Sequence, residues 1–177
     1  ATQAEDADAV GDVTPDQRVV SWDLKTGEQI MSLGTHSAGV RDVVYSPDGD
    51  RLAAAAWDGT VTIWNAVTGD RFLSFEAFNH AVFRLAFNPD GSRLATIGGE
   101  SIKIWDASTG DRLLTFEDHN DLVYGVEYSP DGRYLATASL DGTVRVRALE
   151  LDELTNLAGN RLTRSWTEEE CKNFLHL

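Results

Sequence analysis

The sequence predicts an all-β protein assembled from a stacked, repeated unit of four short antiparallel strands. Two observations carry that expectation. A cassette returns three times, as VRDVVYSPDGDRLAAAAWDGTVTIW at 40–64, VFRLAFNPDGSRLATIGGESIKIW at 82–105 and VYGVEYSPDGRYLATASLDGTVRVR at 123–147. Pro47, Pro89 and Pro130 fall 42 and then 41 residues apart, and Trp22, Trp64 and Trp105 keep the same step, so a fourth, truncated copy precedes the three. A period near 40 with four short strands per unit means units that cannot bury their apolar faces alone and must stack on one another.

The copy that begins at Val40 shows how each strand is written. Val40, Val43 and Tyr45 lead into Ser46-Pro47-Asp48-Gly49. Proline closes the strand because it has no N–H for the ladder, and Asp-Gly turns the chain because glycine reaches positive φ at little cost. Leu52 to Ala56 is the second strand, and its small residues imply close packing near the centre of the assembly. Asp58-Gly59 turns the chain again. From Thr60 to Trp64 the third strand alternates, Val61 and Ile63 on one face and Thr60, Thr62 and Trp64 on the other. Bulk on both faces predicts burial on both. Thr68-Gly69 makes the third turn, repeated at Thr26-Gly27 and Thr109-Gly110, and Phe72 to Phe75 is the fourth strand. Four antiparallel strands joined by three tight turns make one blade of a β-propeller.

These residues resemble the WD-repeat (WD40) family of β-propellers, named for a Trp-Asp pair present here as Trp22-Asp23 and Trp105-Asp106. The resemblance covers about residues 17–149 and rests on turns, strands and period together. It implies that each blade is tied by a buried network of His, Ser or Thr, Asp and Trp. In the copy from Val40 the matching positions are His36, Asp58 and Trp64, with Ala54 where a hydroxyl is expected. In the next, Thr96 and Trp105 match, Phe78 replaces the histidine, and a one-residue deletion at Gly98-Gly99-Glu100 removes the aspartate turn. In the last, His119, Thr137 and Asp141 match and Arg147 replaces the tryptophan. No copy is complete, and each gap is expected to leave fewer buried hydrogen bonds in its blade.

The organisation expected is an acidic segment at 1–16, a propeller segment at 17–149 and a helical tail at 150–177. Ala1-Thr2 reads as the end of a second strand like Ala95-Thr96, followed by an inserted, mobile acidic loop. Ala148 and Leu149 finish a third strand with no fourth after it. The inventory is two full blades, 40–75 and 82–116, flanked by two partial ones. That is short of a closed ring, so the chain reads as a C-terminal part of a longer propeller, with self-assembly through open sheet edges as the rival. In the tail, Leu151, Leu154, Leu157, Ala158 and Leu162 form a helical stripe, and Thr167 to Glu170 a capping box. The stretch LTRSWTEEECKNFLHL resembles the helical tail that follows propellers in large bacterial signalling proteins, which join them to a kinase or a nucleotide-switch ATPase.

Charge and composition narrow the function. Lys plus Arg total 15 against 29 Asp plus Glu, a formal charge of −14, which repels phosphate backbones and argues against nucleic acid as a partner. No apolar run reaches membrane-spanning length. The single cysteine, Cys171, permits no internal disulfide, and no signal peptide follows Ala1, which together point to the cytoplasm. His36 with Asp58 lacks a nucleophile, since position 54 is alanine. His36, His80, His119 and His176 show no metal-ligand spacing, and Asp6, Asp8 and Asp12 lack the glutamate of a calcium loop. No phosphate loop, dinucleotide fingerprint or nucleophile elbow occurs. The expectation is therefore a non-catalytic module without cofactor or metal.

One constellation points outward. The resemblance implies that the residue after the first-strand valine and the residue before the turn aspartate face the narrow top of a propeller, where partners dock. The first set is Arg41, Phe83 and Tyr124, the second Trp57 and Leu140. These include residue types that dominate binding hot spots. The function expected is a scaffold offering this surface to a protein or peptide; the alternative is the sensor portion of a bacterial signalling protein.

Overall fold

The computed structural model describes residues 18–35 and 38–149. The described residues form strands and turns without a helix, in four antiparallel sheets whose strands follow chain order. The first sheet pairs β1 (Arg18–Trp22) with β2 (Gln29–Thr35). The second holds β3 (Val40–Tyr45), β4 (Arg51–Ala56), β5 (Thr60–Asn65) and β6 (Arg71–Glu76). The third holds β7 (Arg84–Phe87), β8 (Arg93–Gly98), β9 (Ser101–Asp106) and β10 (Arg112–Phe116). The fourth has β11 (Val123–Tyr128), β12 (Tyr134–Ser139) and β13 (Val144–Ala148). Two complete blades flanked by two partial ones is the expected inventory. The helical tail at 150–177 and the acidic segment at 1–16 lie outside the described residues, as do His36, Cys171 and His176.

The turns form where side chains can replace lost ladder bonds. After β3, the Ser46 hydroxyl accepts from Arg51 N–H at 2.9 Å, and Gly49 sits at φ 79°. Asn88 and Ser129 play the same part, accepting from Arg93 N–H at 2.8 Å and from Tyr134 N–H at 2.9 Å. Between third and fourth strands, Asp23, Asn65 and Asp106 accept from the N–H groups of Thr26, Thr68 and Thr109. The aspartate of each Trp-Asp pair is thus a turn residue.

The core lies between sheets rather than within one. Ala53, Ala55, Val61 and Ile63 of the second sheet meet Leu85, Leu94 and Trp105 of the third. Ala95, Ile97, Ile102 and Ile104, on the third sheet's other face, meet Val123, Tyr128 and Leu135 of the fourth. Leu52, Ala54 and Trp64 meet Leu33 and Met31 of the first sheet. Alternation therefore buries both faces of each complete sheet, and alanines in β4 let the sheets approach closely. The fully buried alanines at 53–56 match the expectation of tight central packing.

Polar groups also cross these seams. Arg51 of β4 donates to Gly91 O at 2.6 Å and to Ala107 O at 3.3 Å, with its guanidinium 5.5 Å from the Phe87 ring. Asp42 of β3 accepts from Leu85 N–H at 2.8 Å. The first strands β3, β7 and β11 are consequently neighbours, which brings their exposed ends onto one side of the molecule.

Among the described residues, nothing gives the end sheets such cover on their outer faces. Val144 and Val146 of β13 are 70% and 64% exposed, whereas their counterparts Val61 and Ile63 are fully buried. At the other end Trp22 is 56% exposed, against 2% for Trp64 and 6% for Trp105.

Candidate docking cleft

Positions one residue into the first strand, on successive blades, carry Arg41 and Tyr124, with Phe83 just before the short strand β7. The turn residues Trp57 and Leu140 are brought to the same side by matching backbone bonds, Trp57 N–H to Gly39 O and Leu140 N–H to Leu122 O, both 2.9 Å. Gly39 leaves room for the indole: a Cβ there would lie 3.3 Å from Trp57 Cδ1.

The structure brings the five predicted surface residues together on one side of the molecule. The Arg41 guanidinium lies 4.6 Å from the Trp57 ring centre and 5.3 Å from that of Phe83, and the two rings meet edge to face at 6.4 Å and 77°. Beside them opens a cleft of about 230 Å³, lined by Arg41, Phe83, Tyr124 and Leu140 together with Arg84, Leu122 and Val123. Trp57 stands behind the lining, as the backing of Arg41. Trp57, Tyr124 and Leu140 are 51%, 54% and 62% exposed, so half or more of each side chain is available for contact. Phe83 is half-buried and also packs on the core beneath.

Leu122, Val123 and Arg84 were not legible as site residues. The counterparts of Leu122 in the earlier copies are Ala81 and Gly39, and those of Arg84 are Asp42 and Gly125, so no shared residue type marks either position. The one available signal was divergence itself: a large residue where the other copies are small.

The predicted blade ties are a separate, buried layer. In the fourth sheet Arg147 Nη1 donates to Thr137 Oγ1 at 2.7 Å, and Thr137 Oγ1 lies 2.8 Å from His119 Nε2. His119 Nδ1 lies 2.9 Å from Asp141 Oδ2. Arginine has only donors, so Thr137 accepts from it; the Asp141 carboxylate only accepts, so Nδ1–H donates to it, and in the neutral ring Nε2 is then the acceptor for the Thr137 hydroxyl. Arg147 also pairs with Asp118, which Arg145 approaches to 3.2 Å. The expectation that Arg147 leaves this blade short of a bond is corrected, because the guanidinium supplies the donor that an indole supplies elsewhere. In the third sheet that indole, Trp105, donates to Thr96 Oγ1 at 2.9 Å. Phe78, at the histidine position, instead stacks on His80 at 5.2 Å and lies under the Lys103 ammonium at 4.1 Å. Lys103 donates to Ala77 O at 2.8 Å, and burial, with Arg112 adding to it, pulls its pKa below the ordinary lysine range. In the second sheet Trp64 is buried and Asp58 accepts from Thr60 N–H at 2.9 Å.

The hydroxyl of Thr143, with the His119 ring and two backbone N–H groups, holds the Asp141 carboxyl well below the usual range against the opposing effect of burial. Burial pushes the Tyr128 phenol up, with Arg93 opposing and Asp90 adding to it, and its buried hydroxyl finds no hydrogen-bond partner among the described residues. Among the described residues no group of three His, Cys, Asp or Glu is placed to hold a metal ion, and no helix is long and apolar enough to cross a membrane.

A family model described as "WD domain, G-beta repeat" matches residues 27–65, 71–106 and 110–147. No curated protein matches the chain. Among solved structures, the crystal structure of the RRP9 WD40 repeats superposes with a TM-score of 0.62 at 26% identity, over 66% of this chain and 37% of that one. The chain thus spans well under half the length of that structure.

Proposed function

The chain belongs to the WD40 repeat family, whose repeats generally mediate contacts between proteins, and from that premise we propose a non-catalytic docking module that receives a protein or peptide at the cleft of Arg41, Phe83, Tyr124 and Leu140. The observation that carries this reading is the convergence of four exposed or half-buried hot-spot residue types, Arg41, Trp57, Phe83 and Tyr124, with the exposed Leu140, from three blades onto one rim. At about 230 Å³ the cleft is smaller than the ~300 Å³ lower end of small-molecule sites, a size that suits one inserted side chain.

A selection of random displayed peptides against the chain tests the reading. Selected ligands are expected to lose binding at least about tenfold on Tyr124→Ala or Leu140→Ala, with the melting temperature unchanged within a few degrees. Ligands that bind both variants as they bind the parent place the docking surface elsewhere. Tyr124 and Leu140 are chosen because Phe83→Ala would also open the core.

A second reading takes the piece as the sensor portion of a bacterial signalling protein with a kinase or nucleotide-switch ATPase. Only the tail sequence at 162–177 supports it. A parent polypeptide consisting of repeats alone back to its initiator methionine would remove it. The exposed outer faces at Trp22 and at Val144 and Val146 further support packing against additional blades or a second copy.

A further inference from the structure

We infer that the cleft recognises an acidic residue beside a bulky apolar one: a peptide carboxylate on Arg41, with the apolar side chain seated between Phe83, Tyr124 and Leu140. The inference rests on the docking reading above and names its ligand chemistry. It starts from a contrast in how the arginines are used. Arg51 donates to two carbonyls, Arg84 approaches Asp42 at 3.6 Å, and Arg147 is committed to Thr137 and Asp118. Arg41 is exposed, and no acceptor among the described residues takes its N–H groups.

Its position is nonetheless set. The ring centres of Trp57 and Phe83, 4.6 and 5.3 Å from the guanidinium carbon, attract the cation, and neither ring takes a carboxylate's place as acceptor for its N–H groups. A guanidinium fixed in this way offers a planar fork that matches a carboxylate and loses little rotamer freedom on binding. Asp42, its neighbour on β3, does not compete. One Asp42 oxygen accepts from Leu85 N–H at 2.8 Å and the other faces Arg84.

Charge decides the class of ligand. The chain carries a formal −14, a net charge that opposes the approach of a polyanion. A single carboxylate meets its attraction locally, from Arg41 and the half-exposed Arg84, both in the cleft lining. The partner is therefore a peptide with one acid next to an apolar anchor rather than a run of acids.

The test uses the 177-residue chain and a random library of displayed peptides, with selected sequences then synthesised and measured by fluorescence anisotropy. The expected ligands carry Asp or Glu within three residues of a Leu, Ile, Met, Phe or Trp. Changing that acid to its amide weakens binding at least about tenfold. Arg41→Met weakens the acidic peptide by the same factor and leaves the amide peptide unchanged, while Arg41→Lys restores only part. Circular dichroism checks that each variant is folded. Neutral or basic ligands that depend on Tyr124 and Leu140 but not on Arg41 overturn the inference and leave the docking reading standing. Ligands indifferent to all three residues, or no ligands at all, overturn both.

Discussion

Arg147 and Trp105 occupy equivalent positions, and each donates to a threonine hydroxyl on the strand beside it. The difference is charge: Arg147 brings a cation that Asp118 must neutralise. Arg147→Met is expected to cost about 1.5–3 kcal/mol, since it removes charged hydrogen bonds and leaves Asp118 with Arg145 alone. Arg147→Trp, which keeps a donor for Thr137, is expected to recover part of that loss. Urea denaturation midpoints rank the three proteins. Acid stability follows from the neighbouring carboxylate. The folded pKa of Asp141 lies below the ordinary value of 3.8, so the unfolded chain takes up its proton first. This contribution is present above about pH 4 and is lost as pH falls through the folded value. Asp48, Asp90, Asp106 and Asp131, each hydrogen-bonded within a turn, act in the same direction. Stability measured from pH 6 to pH 2 is expected to decline on the acid side, less steeply in Asp141→Asn. A stability that rises on acidification would contradict the assignment.

At the scale of the strand and its turn, Gly59 and Gly142 are the same position in two sheets, at φ 86° and 82°. A Cβ at Gly59 would come within 1.9 Å of Phe78 O, whereas one at Gly142 meets nothing within 4 Å. Gly142→Ala is expected to cost the ~1 kcal/mol of a left-handed residue, and Gly59→Ala several times that, because the segment leading to the next sheet must move. Thermal melts of the two variants compare them directly; equal shifts would mean that the turn at Gly59 is not held by that segment. The turns explain how much was legible in the sequence. Strands and their order could be read because Pro, Asp and Gly stop ladders for local reasons. The nearness of five rim residues could be read because the family resemblance implies a common direction for their positions. Leu122 and Arg84 could not, because what makes them cleft walls is the approach of β3, β7 and β11 across about 40 residues per step. Arg147 looks like a gap in the sequence because residue type hides function: a guanidinium and an indole share a donor, not a name.

Across the whole molecule, the described residues bury the middle sheets on both faces and the end sheets on one. The outer face of the last sheet repeats the pattern that is sealed one blade earlier, with Val144 and Val146 for Val61 and Ile63. Such faces drive association. Val144→Glu with Val146→Glu is expected to lower the average mass seen by sedimentation at high concentration, with an unchanged far-ultraviolet spectrum. Association that persists unaltered would assign contact to another surface.

The family matches begin at Gly27, at 71 and at Gly110, just ahead of or at β2, β6 and β10, the last strands of their sheets, and end with the third strand of the next sheet, at 65, 106 and 147. The unit matched along the chain is therefore not the unit that folds as a sheet. Each match takes one strand from one sheet and three from the next. Lengthening such a chain by whole periods never strands a lone edge in the interior, and each added period renews the row of rim residues in register. Growth by copying and diversification of the rim can then proceed independently: the former is written in the turns, the latter in positions such as 41, 83 and 124, where three copies already hold three different residues.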